Sequence, residues 1–222
     1  MTEELIFASY PVFKSLRGVL DDADREVAAK EAAAVLDDHA GKVTTRGVYS
    51  TGGFTVSADI MMWWVANSAD DIQDLYVALR QTRLGRALEP THSFLGLVRP
   101  AEFAKDHLPA FVKGVAPKKY TCVYPFVRTP DWYLLEAEQR GALLREHGEA
   151  GREFPDVLAN TTSAFGLGDY EWILTFEADG VDRIVQLIRR LRATEARRYT
   201  ALETPFVTGI RKDLSAAVAD LP

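Results

Sequence analysis

From Tyr124 to His147 the chain reads YPFVRTPDWYLLEAEQRGALLREH, which brings a phenol, a guanidinium, an indole and an imidazole in succession at Tyr124, Arg128, Trp132 and His147. An oxidisable ring, an anion binder and a candidate metal ligand together suit a porphyrin that carries carboxylates. Each residue taken alone also fits a plainer role: Tyr124 and Trp132 as core aromatics, Arg128 as a solvated charge, His147 as an ordinary helix residue.

Two elements must position this set. Tyr120 to Arg128 reads as a strand, and a period of two puts Tyr120, Cys122, Tyr124, Phe126 and Arg128 on one face, with Tyr124 and Arg128 roughly 13 Å apart. Pro125 cannot donate to a ladder, so the strand is expected at an edge or bulged where Tyr124 sits. An aromatic sheet face packed on a helix accounts for the same pattern. Glu136 to Phe154 reads as a helix in which Leu143 and Leu144 lie one turn before His147, Gly151 one turn after and Phe154 two turns after. That face is apolar, with a gap beside the imidazole. A helix-interior glycine costs about 0.5 to 1 kcal/mol relative to alanine, so Gly148 and Gly151 call for a reason. Room for a flat macrocycle held by His147 is one, which makes Gly151 a candidate cofactor contact.

The rest of the chain supplies the frame. Leu5 to Phe13 reads as a strand closed near Pro11, and Asp22 to Ala40 as an amphipathic helix stopped at Gly41. Lys42 to Thr51 and Asp59 to Asn67 read as strands around a Gly52-Gly53 turn, with a helix capped at Asp70-Asp71 and a strand from His92 to Val98 after them. A connector bearing Pro100, Pro109 and Pro117 separates this half from the next. The second half then repeats the order: the strand at Tyr120, the helix at Glu136, strands at Val157 to Phe165 and Asp169 to Phe176 around Gly166-Leu167-Gly168, a helix from Val181 to Tyr199 and a final strand from Thr204 to Ile210. DIMMWW from Asp59 matches DYEWIL from Asp169, and Ile72, Leu75 and Leu79 match Ile184, Leu187 and Leu191. Two βαββαβ units of this kind predict an α+β protein of two ferredoxin-like modules, residues 1–100 and 120–222, joined by a connector at 101–119.

Bulk properties narrow the function. A chain of 222 residues, 47% hydrophobic and 26% charged, has the composition of a soluble globular protein. A net charge of −6 argues against a nucleic-acid surface, and the basic run from Arg189 to Arg198 reads as a solvated helix face. Cys122 is the single cysteine, so an intrachain disulfide and a thiolate-built metal site are excluded and a cytoplasmic setting is expected. Neither a signal peptide nor an 18-residue apolar window is apparent. There is no P-loop, GxGxxG after a strand, HExxH or GxSxG. His39, near a helix end behind Asp37 and Asp38, reads as structural, and His92 has no evident partner.

YPFVRTPDWYLL, REHGEAGREFPDV, NTTSAFGLGDYEWILTFEAD and ETPFVTGIR together resemble the chlorite dismutase family, and within it the actinobacterial branch that decarboxylates coproheme. The resemblance runs over nearly the whole chain. It implies two ferredoxin-like halves with the haem site in the C-terminal one. The implied reaction is peroxide-dependent oxidative decarboxylation of two propionates of iron coproporphyrin III to vinyl groups, giving haem b. His147 matches the proximal iron ligand, Tyr124 the tyrosine whose radical takes hydrogen from the propionate, and His107, in KDHLP, the distal base toward peroxide. Arg128 takes the place of a propionate-binding residue and Trp132 that of a nearby oxidisable tryptophan. A homopentamer and delivery of substrate by a coproporphyrin ferrochelatase are implied as well. Chlorite dismutases place an arginine above the iron, whereas Val157 to Thr162, VLANTT, contains none, so chlorite is not the expected substrate. The counterpart of that residue lies within Leu158 to Asn160. A haem-delivery protein and a general haem peroxidase of the same fold are the alternatives.

Overall fold

The structure, a computed structural model, describes residues 5–99 and 108–222. In chain order its elements are β1 (Phe7–Ser15), α1 (Asp22–Asp38), β2 (Val43–Ser50), β3 (Ile60–Ala66), α2 (Ala69–Gln81), α3 (Arg83–Arg86), β4 (Leu88–Leu97), β5 (Tyr120–Arg128), α4 (Pro130–Leu134), α5 (Ala137–Arg152), β6 (Leu158–Ser163), β7 (Trp172–Ala178), α6 (Val181–Leu191), a 3₁₀ turn (Glu195–Tyr199), β8 (Thr200–Leu202), β9 (Val207–Lys212) and α7 (Leu214–Ala219). They form two compact units, one comprising Met1–Leu97 with Val207–Pro222 and the other Val98–Phe206.

In the first unit the antiparallel order is β4-β1-β3-β2-β9. The first strand, expected to close near Pro11, runs on to Ser15 with Pro11 inside it. The β1–β3 register is unbroken from Phe7↔Ala66 to Phe13↔Ile60 and passes over Tyr10 and Pro11, since proline has no N–H to give. Ile60, Met62, Trp64 and Ala66 meet α1 and α2 through Ala28, Ala32, Leu75 and Leu79 in one buried cluster. Met61 and Trp63, on the opposite face, are also fully buried, which is why IMMWWVA is apolar without alternation. The expected stripe of α2, Ile72, Leu75 and Leu79, is buried, and Ser68 caps that helix through the N–H of Asp70.

In the second unit the order is β6-β7-β5-β8. Cys122 and Tyr124 face Phe176, Ala178, Ile184 and Leu187, so the period of two holds in β5; of the matched stripe of α6, Ile184 and Leu187 are buried and Leu191 partly so. On the opposite face Asn160 ties the sheet to the incoming connector. Its Oδ1 accepts from the Phe111 N–H at 3.0 Å, and its Nδ2 donates to the Thr175 carbonyl and the Glu177 carboxylate, both at 3.2 Å.

The end of the chain departs from expectation. The last strand falls in the first unit. It pairs with β2 in the first, Ser50↔Ile210 and Val48↔Lys212, so the second unit stops at Phe206 and not at Pro222. Chain order alone does not say which sheet edge a strand joins, and here close approach decides it. A Cβ on Gly209 would lie 2.9 Å from Tyr49 Cβ and 3.0 Å from the Ser50 carbonyl oxygen. Beyond β9, Ala217, Val218 and Leu221 complete the first core.

Gly209→Ala is therefore expected to destabilise the protein by about 1 to 3 kcal/mol through overpacking. Chemical denaturation would show it, and an unchanged midpoint would remove the close-approach account of β9.

Candidate functional site

The second unit contains a cleft of about 460 Å³, counted out to its mouth, whose walls bring together Tyr124, Arg128 and His147. Strand β5 contributes Tyr124, Phe126 and Arg128 from one face, as the period of two requires. Leu174, Ile188 and Leu191 make the apolar wall, and Arg192, Arg197 and Glu203 bring charge to it.

His147 is anchored through Nδ1, which lies 3.3 Å from the Thr194 hydroxyl. That hydroxyl gives its own proton to the Leu191 carbonyl at 2.7 Å, so toward His147 it can only accept. The imidazole proton therefore sits on Nδ1, and Nε2 is left with its lone pair for a ligand. Burial, and secondarily the positive charge of Arg128, push the His147 pKa down to about 4. The ring is neutral at physiological pH, the form that binds metal.

Arg128 is held from several sides. Its Nη1 donates to the Ala196 carbonyl at 3.1 Å and to the Thr200 hydroxyl at 3.4 Å, and its backbone N–H donates to Glu171 Oε2 at 2.7 Å. The guanidinium lies over the Trp132 ring at 4.1 Å and over Phe126 at 5.0 Å. Burial lowers its pKa to about 10, which leaves it charged at neutral pH. Tyr124 is 3% exposed and stacks on Phe206 at 4.5 Å. Burial first, and then the negative charge of Glu203, raise its pKa well above the usual phenol value, so the O–H stays intact.

Of the residues singled out from sequence, Tyr124, Arg128 and His147 meet in one cleft. Trp132 is buried behind Arg128 on α4 and does not line it. Gly151 does not line it either, and a Cβ there would meet nothing within 4 Å. His107 lies outside the described residues. Asn160, within the segment considered for the residue above the iron, is committed to the sheet and the connector. The β5 irregularity falls at Val127/Arg128, where β8 pairs, and not at Tyr124. His39 caps α1 and its Nδ1 meets the Val35 carbonyl at 2.8 Å. His92 does have a neighbour, the Thr91 hydroxyl at 3.2 Å.

Glu203 was missed because nothing local to it marks a site, and Thr194, Arg192 and Arg197 because Val181 to Tyr199 reads as one long basic helix. It is not one: α6 ends at Leu191 and a 3₁₀ turn begins at Glu195. The break turns Arg192 and Arg197 into the cleft, while Arg190 and Arg198 stay outside on Glu153 and Glu195. Thr194, an N-cap type just before Glu195, was the available signal.

A family model described as chlorite dismutase matches residues 25–212. The chain belongs to the chlorite dismutase family. Within that family it is 48% identical over 218 residues to the coproheme decarboxylase of Mycolicibacterium smegmatis, covering 97% of this chain and 94% of that one. The coproheme decarboxylase of Staphylococcus carnosus is 27% identical over 192 residues, or 79% and 75% of the two chains. Among solved structures, an arginine-to-lysine variant of the chlorite dismutase from Candidatus Nitrospira defluvii superposes with a TM-score of 0.88 at 22% identity, covering 99% of this chain and 96% of that one. The same enzyme in complex with imidazole gives 0.87 at 22% identity, covering 97% and 94%. The ferredoxin-like pairing expected from the repeat is thus the family fold.

The state of His147 can be read by nitrogen-resolved NMR. The wild-type ring is expected to hold its proton on Nδ1 and stay neutral down to about pH 4, where it titrates. Because the folded value is depressed below the ordinary value of about 6.5, the stability His147 contributes is full above that pH and is lost as pH falls through the window to about 4. Thr194→Val should mix the two tautomers, and an unchanged spectrum would remove Thr194 as the anchor.

Proposed function

We propose that this chain is a coproheme decarboxylase. It uses hydrogen peroxide to convert two propionates of iron coproporphyrin III to vinyl groups and yields haem b. The observation that carries the reading is the meeting in one cleft of a neutral, Nδ1-anchored histidine, a buried phenol and a clamped arginine, in a chain related over nearly its full length to enzymes of that name.

The residues present fit an iron porphyrin. His147 offers Nε2 to the metal, Leu174, Ile188 and Leu191 offer an apolar wall to the ring, and the arginines meet its carboxylates. When bound, the iron porphyrin and peroxide supply the oxidising power. Each propionate loses its carboxyl carbon as carbon dioxide and one further hydrogen, leaving a vinyl group, while one peroxide is reduced to two waters.

Around that chemistry the protein positions and moves protons. Arg128, fixed by Ala196 and Thr200, presents its remaining N–H groups to one carboxylate and so decides which propionate faces Tyr124. The phenol of Tyr124 gives up its hydrogen atom and takes one from the propionate. Trp132 holds Arg128 in plane from behind and places an oxidisable indole there. His107 accepts the proton that peroxide must lose. Gly151 adds only clearance on the helix that carries His147. Assembly as a homopentamer, receipt of substrate from a coproporphyrin ferrochelatase and a cytoplasmic setting belong to the same reading. Among the described residues no helix is long and apolar enough to cross a membrane.

Coproheme and peroxide added to the purified protein should give a porphyrin lighter by two carboxyl groups and two hydrogens on mass spectrometry. In Tyr124→Phe the yield rate should fall by about 100-fold or more, the scale of losing a group that acts in the reacting complex. A wild-type protein that oxidises dyes but leaves all four propionates intact would instead be a peroxidase.

A further inference from the structure

One acid stands among the cleft-lining residues, and it is already engaged. Glu203 Oε2 accepts from Arg192 Nη2 at 3.0 Å and from Arg197 Nη1 at 2.5 Å, so a single carboxylate oxygen bridges two guanidinium groups. The arginine side chains are 45% and 40% exposed and that of Glu203 is 18% exposed. Ion pairs with this much water around them contribute little net stability, so one carboxylate can replace another there at small cost. Arg128 differs: its contacts are a carbonyl, a hydroxyl and two aromatic faces, which leave its charge for a ligand.

Position ties the bridge to the reacting group. Phe206, three residues beyond Glu203, stacks on Tyr124 at 4.5 Å, and the Arg192 guanidinium lies 5.8 Å from that same Phe206 ring. The raised Tyr124 pKa also reflects the Glu203 charge. The Glu203 carboxylate therefore lines the same cleft as the phenol and acts on it electrostatically.

We infer that Glu203 is an internal stand-in for a carboxylate of the ligand: a reacting propionate takes its place on Arg192 and Arg197, and Glu203 returns once that propionate has left as carbon dioxide. The inference rests on the decarboxylase reading and extends it to selection. A tetracarboxylate competes with Glu203 for the arginine pair. The dicarboxylate product has no such group beside Tyr124, so the returning Glu203 neutralises the pair without holding the product. Arg192, Arg197 and Glu203 thus act as one counter of carboxylates, favouring entry of substrate and departure of product.

The test is binding without peroxide, by absorbance titration of coproheme and of haem b on the wild type and on Glu203→Gln, Arg197→Gln and Glu195→Gln. Glu203→Gln is expected to tighten coproheme by about tenfold, the scale of one charge-assisted contact no longer contested, and to leave haem b nearly unchanged. Arg197→Gln should weaken coproheme selectively. Glu195→Gln removes the same charge from a pair outside the cleft with Arg198 and should change neither ligand. Equal shifts for both porphyrins in Glu203→Gln, no shift, or an equal response in Glu195→Gln would overturn the stand-in role. If that happens while the wild type still converts coproheme to haem b, only this inference fails. A wild type that binds neither porphyrin overturns the decarboxylase reading and this one together.

Discussion

Thr194 donates its hydroxyl proton to the Leu191 carbonyl at 2.7 Å and receives one from His147 in return. The first bond closes α6; the second sets the tautomer of the histidine. Because the helix ends there, the chain can turn into the 3₁₀ segment. That turn carries the Ala196 carbonyl to Arg128 and swings Arg197 back toward Glu203. Three chemically different groups, the Thr194 hydroxyl, the Ala196 carbonyl and the Arg197 guanidinium, are thus placed by one short irregularity. A continuous helix through Tyr199 would have scattered them around its circumference at 100° per residue.

The same burial acts on each group according to the charge it would have to carry. Loss of water disfavours the imidazolium of His147 and the phenolate of Tyr124, so both are held neutral. It disfavours the guanidinium of Arg128 as well, but that group starts so high that it stays charged even when lowered to about 10. A low-dielectric wall therefore sorts three side chains into a neutral imidazole, an intact O–H and a fixed cation, without a dedicated partner charge for any of them. The aromatic face of Trp132 and the carbonyl of Ala196 replace the water Arg128 has lost, and neither neutralises it.

The parts of this arrangement legible in the sequence are those set by short-range periodicity. The alternation in YTCVYPFVR placed Tyr124, Phe126 and Arg128 on one wall, and the stripe Ile184 and Leu187 placed α6 against it. The repeat between DIMMWW and DYEWIL gave the paired modules. What escaped depends on tertiary partners. RRLRATEARRY is helical and amphipathic by composition, and only the His147–Thr194 contact, 47 residues apart, gives Thr194 a reason to interrupt it. The edge chosen by β9 was hidden for a similar reason, since the clearance that Gly209 provides exists only beside Tyr49 and Ser50. Trp132, read as a group at the ligand, is set one layer back because its ring satisfies the flat face of Arg128 first.

The first unit is discontinuous, Met1–Leu97 with Val207–Pro222, whereas the second runs without interruption from Val98 to Phe206. On a ribosome this imposes an order. Every residue of the cleft-bearing unit has been synthesised before β9 exists, so that unit can close while the first still lacks one edge of its sheet and the Ala217, Val218 and Leu221 side chains of its core. The half translated first is the half completed last. During that interval the open side of β2 is an unpaired strand edge, and β9, synthesised after the whole cleft-bearing unit, is the segment that covers it.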